Sequence, residues 1–246
     1  SFRTLYNSGD FIGAEKCILP VLDLQKKVPG KYLAAAYNNL GIIKMILGFY
    51  TEALDYFNKA ENLTPNIKKN YTVLATIYNN KSRIYTFRRS YSTAIEFLEK
   101  AIRIFQNPEN QDKSLLLNLS TAYLNLGIIY YEIKDYSSAL ETLEKSSRLK
   151  LNNNLPQTEL TFLNLAKTYA QTGNSDKAEE YFTRSLTTMN SKFGGNYYRM
   201  AEVFFDYGLF LRSAGRNAEA IEAHSKALSI CLKNYGEKHT LVSLSL

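Results

Sequence analysis

One spacing recurs five times along the chain: an aromatic residue, a small residue four positions later, and an alanine twelve positions beyond that. It is read at Tyr37, Gly41 and Ala53; Tyr78, Ser82 and Ala94; Tyr123, Gly127 and Ala139; Phe162, Ala166 and Ala178; and Phe204, Gly208 and Ala220. Each alanine is followed at plus four by Phe57, Leu98, Leu143, Phe182 or His224, and at plus seven by Ala60, Ala101, Ser146, Ser185 or Ala227. Steps of four and seven share one helical face, so each alanine opens the inner stripe of a helix. Between the small residue and the alanine lies turn chemistry: Gly48-Phe49-Tyr50, Arg89-Ser90-Tyr91, Lys134-Asp135-Tyr136, Gly173-Asn174-Ser175 and Gly215-Arg216-Asn217. The unit is helix, tight turn, helix. Antiparallel helices joined this way approach most closely where side chains are smallest, which explains the Gly, Ser or Ala.

The predicted fold class is therefore all-α, a solenoid of stacked antiparallel hairpins. At 246 residues the chain is near the size at which one core stops growing. A stack in which each repeat touches only its neighbours has no such limit. With 45% hydrophobic and 22% charged residues the composition is that of a folded chain. A partial earlier copy is visible in Phe2, Tyr6, Gly9, Phe11 and Ala14. Tyr235-Gly236-Glu237-Lys238-His239 aligns with Phe193-Gly194-Gly195-Asn196-Tyr197, after which Leu241 to Leu246 would open another helix. The expectation is a single superhelix over 1–246, of about six repeats, truncated within a repeat at both ends.

Asn39-Leu40-Gly41, Gly48 with Tyr50, Ala53, Phe57, Ala60 and Pro65 carry a resemblance to the tetratricopeptide repeat, and the pattern extends over nearly the whole chain. The resemblance implies a right-handed solenoid that binds protein or peptide in the groove lined by the first helix of each hairpin. The recurrent alanines are 39, 41, 45, 39 and 42 residues apart, against about 34 in the family. The extra residues are expected between hairpins, in Gln106 to Lys113 and Lys150 to Pro156. A period near 42, together with Tyr235 to His239, looks more like kinesin light chains and the arrays attached to caspase-like CHAT domains, departing from them where Thr240 replaces a proline.

Asn39, Asn80, Asn125 and Asn164 each stand two residues before the small packing residue, with Asp206 in that place in the last full repeat. An amide offers one acceptor and two donors, which matches an extended peptide backbone. Similar tetratricopeptide proteins use an asparagine ladder in this way. The alternative is that these amides bond a neighbouring helix and order the stack; sequence leaves both open. Asn38, Asn79, Arg83, Tyr131, Lys167 and Arg212 are the neighbouring groove positions expected to supply selectivity. The three cations would pair with acidic ligand side chains. A clamp for a terminal carboxylate is not expected, because Asn38 and Ile42 stand where such a site has Lys and Asn.

Other function classes find little support. The chain has two histidines. His224 takes a place that is Phe or Leu in sister repeats and is expected to pack, while His239 opens an apparent helix. No Walker loop, dinucleotide fingerprint or Cys-x-x-Cys pair occurs, and Gly194-Gly195 reads as a turn. No catalytic residue, metal site or cofactor is expected, and no enzyme activity. No apolar run reaches the ~18 residues of a membrane span. Cys17 and Cys231 lie in apolar helical stretches and are expected buried and unpaired, which fits a reducing, cytoplasmic setting. The net charge of +7 favours an acidic partner. Its basic doublets, Lys26-Lys27, Lys68-Lys69 and Arg88-Arg89, are scattered, which disfavours nucleic acid. The expected partner is another protein or peptide, or an effector domain of the same polypeptide.

Overall fold

The structure is a computed structural model and describes residues 2–23, 27–64, 71–107 and 113–235. Twelve helices lie among them. They are α1 (Phe2–Asn7), α2 (Phe11–Asp23), α3 (Gly30–Ile46), α4 (Tyr50–Leu63), α5 (Tyr71–Phe87), α6 (Tyr91–Phe105), α7 (Lys113–Glu132), α8 (Tyr136–Asn152), α9 (Thr158–Gln171), α10 (Ser175–Phe193), α11 (Met200–Ser213) and α12 (Asn217–Tyr235). Successive pairs form hairpins. Pro65, residues 108–112 of the first expected loop, His239 and the segment after Tyr235 fall outside the described residues.

All six hairpins close with the same turn. The residue seven places after the small packing position has positive φ: Gly48 at 84°, Arg89 at 56°, Lys134 at 65°, Gly173 at 75° and Gly215 at 75°, with Gly9 at 81° in the first hairpin. That residue donates to the carbonyl three back, and the next residue reaches five back, as in Gly48 N to Met45 O at 3.2 Å and Phe49 N to Lys44 O at 2.8 Å. This pairing satisfies helix-end carbonyls and reverses the chain. The left-handed conformation it needs is cheap for glycine and strained for Arg89 and Lys134.

Close approach follows from the small residues. A Cβ on Gly41 would stand 2.6 Å from Phe57 Cε1, one on Gly127 2.6 Å from Leu143 Cγ, and one on Gly208 2.7 Å from His224 Cε1. His224 is thus packed as its place in the repeat requires, edge-on to Phe205 with ring centroids 5.3 Å apart. The recurrent alanines, Ala14, Ala53, Ala94, Ala139, Ala178 and Ala220, are all buried.

The chain divides into two compact units, Ser1–Asn125 and Leu126–Leu246. In the first, Phe57, Ile77 and Ile84 centre one apolar cluster, and Leu40 and Ile43 another with Ala14 and Ile18. Cys231 is buried as expected, but Cys17 is exposed. On α2 the inner stripe runs through Ala14 and Ile18, and Cys17 lies beside that stripe rather than on it.

Candidate functional site

In the first unit α3 lies against α5, so the asparagine positions of successive first helices come within reach of one another. Asn80 Nδ2 donates to Asn38 Oδ1 at 3.2 Å, and Asn125 Nδ2 donates to Asn79 Oδ1 at 2.9 Å. Both bonds obey one rule: the amide two residues before the small position reaches the amide three before it on the previous first helix. Asn38 and Asn80 are buried, whereas Asn39, Asn79 and Asn125 are partly exposed. Asn39 makes no side-chain hydrogen bond to another described residue. Arg83 is exposed one turn further along α5.

The second unit solves the same positions differently. Asn164 Nδ2 turns back to Leu160 O at 2.8 Å within α9. Asp206, on α11, faces Lys167 Nζ at 3.1 Å, and that ammonium stands 5.7 Å from the Tyr131 ring centroid. Asp206 Oδ2 is buried, with the Lys167 ammonium as its charge partner. Desolvation works against the Lys167 ammonium, yet Asp206 outweighs it and holds the pKa above the ordinary lysine value. Burial likewise raises the Tyr131 phenol. Tyr131, Lys167, Gln171, Asp206, Leu209 and Ser213 line a hollow of about 160 Å³. That is room for one side chain. Arg212 is exposed and does not line the hollow.

Sequence reading missed a buried lysine. Lys150 is 1% exposed, and its ammonium donates to Gln157 O at 3.0 Å and Thr161 Oγ1 at 2.9 Å. Burial pushes it down to about 8, against the attraction of Glu159. It ties down the turn between α8 and α9, where Gln157 has φ of 61°. Lysine at the end of an amphipathic helix reads as a solvated charge, so no sequence signal marked it. Among the described residues no group of His, Cys, Asp and Glu could hold a metal ion, and no helix is long and apolar enough to cross a membrane.

Stacked helical hairpins with a shared turn and a buried small-residue seam define an α-solenoid of the helical-repeat class. The sequence profile of the tetratricopeptide repeat matches residues 32–107 and 157–230, and a second tetratricopeptide profile matches 120–153. The chain belongs to the tetratricopeptide repeat family. No curated protein matches it by sequence. Among solved structures it is similar to BtubC (BKLC) from P. vanneervenii, with TM-score 0.75, 18% identity, and 94% of this chain and 92% of that one covered. It is also similar to the apo form of RapI, with TM-score 0.71, 12% identity, and 94% and 95% covered. A Rap protein complexed with competence and sporulation factor gives TM-score 0.73 at 14% identity, with 99% and 70% covered. Likeness at such identities speaks for the fold.

Proposed function

We propose that this chain is a non-catalytic module that binds another protein or peptide along the first-helix faces of its repeats. The observation that carries the reading is the division of labour between the asparagines. Asn38 and Asn80 are buried and bonded to each other, while Asn39, Asn79, Asn125 and Asn164 keep part of their surface in solvent. The Asn80–Asn38 and Asn125–Asn79 bonds hold adjacent hairpins in register, and the donors and acceptors that the partly exposed amides have left over face a peptide backbone. Tyr131 and Lys167 frame a place for one ligand side chain, and Arg83 and Arg212 offer charge to acidic ones. A Rap protein of this fold has been crystallised with competence and sporulation factor, which supports the class of role.

The long-period resemblance to kinesin light chains and CHAT-associated arrays belongs to this reading too. In its second form the solenoid is a regulatory arm of a longer effector and holds a segment of its own polypeptide. Peptides selected from a random display library on the intact chain test both. Asn39→Ala and Asn125→Ala should each weaken their binding by roughly fivefold, about 1 kcal/mol per amide contact, with melting of the Asn39 variant unchanged. Peptides that bind both variants as they bind the parent would sink the proposal. Winners that match the protein's own sequence would favour the arm.

A further inference from the structure

In the second unit the contact between successive first helices is ionic where its sisters are amide pairs, and it lines a hollow. Asp206 holds the place of Asn80 and Asn125, two residues before the small position. The rule of those earlier pairs would send it to the residue three before the small position on α9, but that is Leu163, buried and apolar. Asp206 meets Lys167 instead, one helical turn further along α9, with 3.1 Å between Nζ and Oδ2. The two side chains are 28% and 17% exposed, so both charges give up much of their water. Desolvation is the largest single influence on the ammonium. An uncharged amide pair links α3 and α5 without that cost, and an ion pair withdrawn from water adds little net stability. A charged pair kept where a neutral one suffices departs from the local rule as binding sites do.

The hollow of about 160 Å³ is built around that pair. Phe182 and Phe210, packed with ring centroids 5.8 Å apart, give it a fixed apolar side together with Ala170 and Leu209. Lys167 and Asp206 are the charged groups among its described lining residues, and their charges cancel. Glu202 and Glu132, which act on Lys167 and Tyr131 from nearby, do not line it. The Tyr131 ring, with its centroid 5.7 Å from the ammonium, helps to fix that end of the pair. An ammonium carries three N–H donors and a carboxylate about four lone-pair directions. One contact between them leaves donor and acceptor capacity side by side.

We propose that this hollow takes the carboxamide of a Gln or Asn side chain from a bound peptide, its carbonyl accepting from the Lys167 ammonium and its N–H donating to the Asp206 carboxylate. The proposal rests on the groove reading above and names the side chain that one part of the groove selects. The oxygen and nitrogen of an amide share one carbon and one plane, so a single group reaches a donor and an acceptor that stand 3.1 Å apart. Lys167, expected from sequence to meet an acidic ligand side chain, is already matched by Asp206. A ligand carboxylate there meets Asp206, and a ligand cation meets Lys167, as like charges at close range. An apolar side chain would strip the pair of water and return no hydrogen bond. The apolar side of the hollow accommodates the methylene stem of Gln.

The test selects peptides on the intact chain from a random dodecapeptide display library, with counter-selection on the Lys167→Met, Asp206→Leu double variant. That variant exchanges the ion pair for apolar side chains of similar size, a change that proteins tolerate, and its melting temperature should not fall. The surviving peptides should share one Gln or Asn. As labelled synthetic peptides in fluorescence anisotropy, they should bind about tenfold or more weakly when that Gln becomes Met or Glu. On the double variant, and on Lys167→Met alone, the preference for Gln over Met should vanish or reverse, whereas Asn164→Ala should weaken both peptides equally. The readout is a ratio of two peptides on one variant, so a loss of folded protein does not imitate it. A preference for Gln that survives both variants would overturn the proposal, as would a shared residue that is acidic, basic, hydroxylated or apolar. No survivors of the counter-selection would also overturn it, and binders that still respond to Asn39→Ala or Asn125→Ala would then leave the groove reading standing. Peptides indifferent to every one of these substitutions would remove both.

Discussion

Replacing Asn80 by alanine separates the structural amides from the outer ones. Asn80 is 5% exposed and Asn38 8%, and the bond between them is 3.2 Å long. A neutral hydrogen bond contributes about 1 kcal/mol net, but removing one partner also leaves the other buried and unpaired, which costs about 1–3 kcal/mol. Alanine is the better helix former and returns about 0.5 kcal/mol. Asn80→Ala should therefore destabilise α3 to α6 by about 1–2 kcal/mol, and Asn38→Ala by a similar amount. Together they should cost less than their sum by about 1 kcal/mol, because the second change removes a group the first has already orphaned. Asn39→Ala, on the neighbouring helical position, should change stability by less than about 0.5 kcal/mol. Repeats contact only their neighbours and can unfold locally, so native-state hydrogen exchange of α3 and α5 amides is the assay, alongside urea unfolding. Strictly additive costs, or an Asn80 variant as stable as the Asn39 one, would refute the pairing.

Lys150 should give the chain an alkaline rise in stability. Its folded pKa is about 8 and the unfolded value is the ordinary 10.5, so between them the unfolded state binds more protons and stability increases with pH, by at most about 1.4 kcal/mol per unit. Near pH 10 the trend reverses. Tyr169, raised by burial and its bond to Glu144, keeps its proton in the fold while unfolded tyrosine ionises. Urea midpoints at pH 7, 8, 9 and 10 should show the rise, and Lys150→Met should abolish it. Lys134→Gly relieves the φ of 65° at the fourth hairpin turn and should stabilise by about 1 kcal/mol in the same assay. Gly127→Leu drives atoms into Leu143, which a glycine Cβ alone would meet at 2.6 Å, and should cost well over 2 kcal/mol, visible as lost helicity on melting.

The hairpin was legible because its determinants are local. Small residue, turn and alanine lie within one stretch whose helical period and left-handed turn follow from backbone sterics, and Gly41 meets Phe57 as that spacing requires. The same register marked Arg83 and Tyr131 as first-helix positions near the asparagines, and both lie on first helices. What the sequence did not carry was orientation between hairpins. Adjacent residues on a helix point about 100° apart, so in the doublets Asn38-Asn39 and Asn79-Asn80 either amide could have faced the neighbouring repeat. Packing of α3 against α5 buried Asn38 and Asn80 and left Asn39 and Asn79 at the surface. Packing between other helices put Lys167 against Asp206 across α9 and α11 and folded Lys150 of α8 into the interior, and it left Cys17 of α2 exposed. Periodicity within one helix sets which residues share a face; only the rotation of one hairpin on the next decides what that face meets.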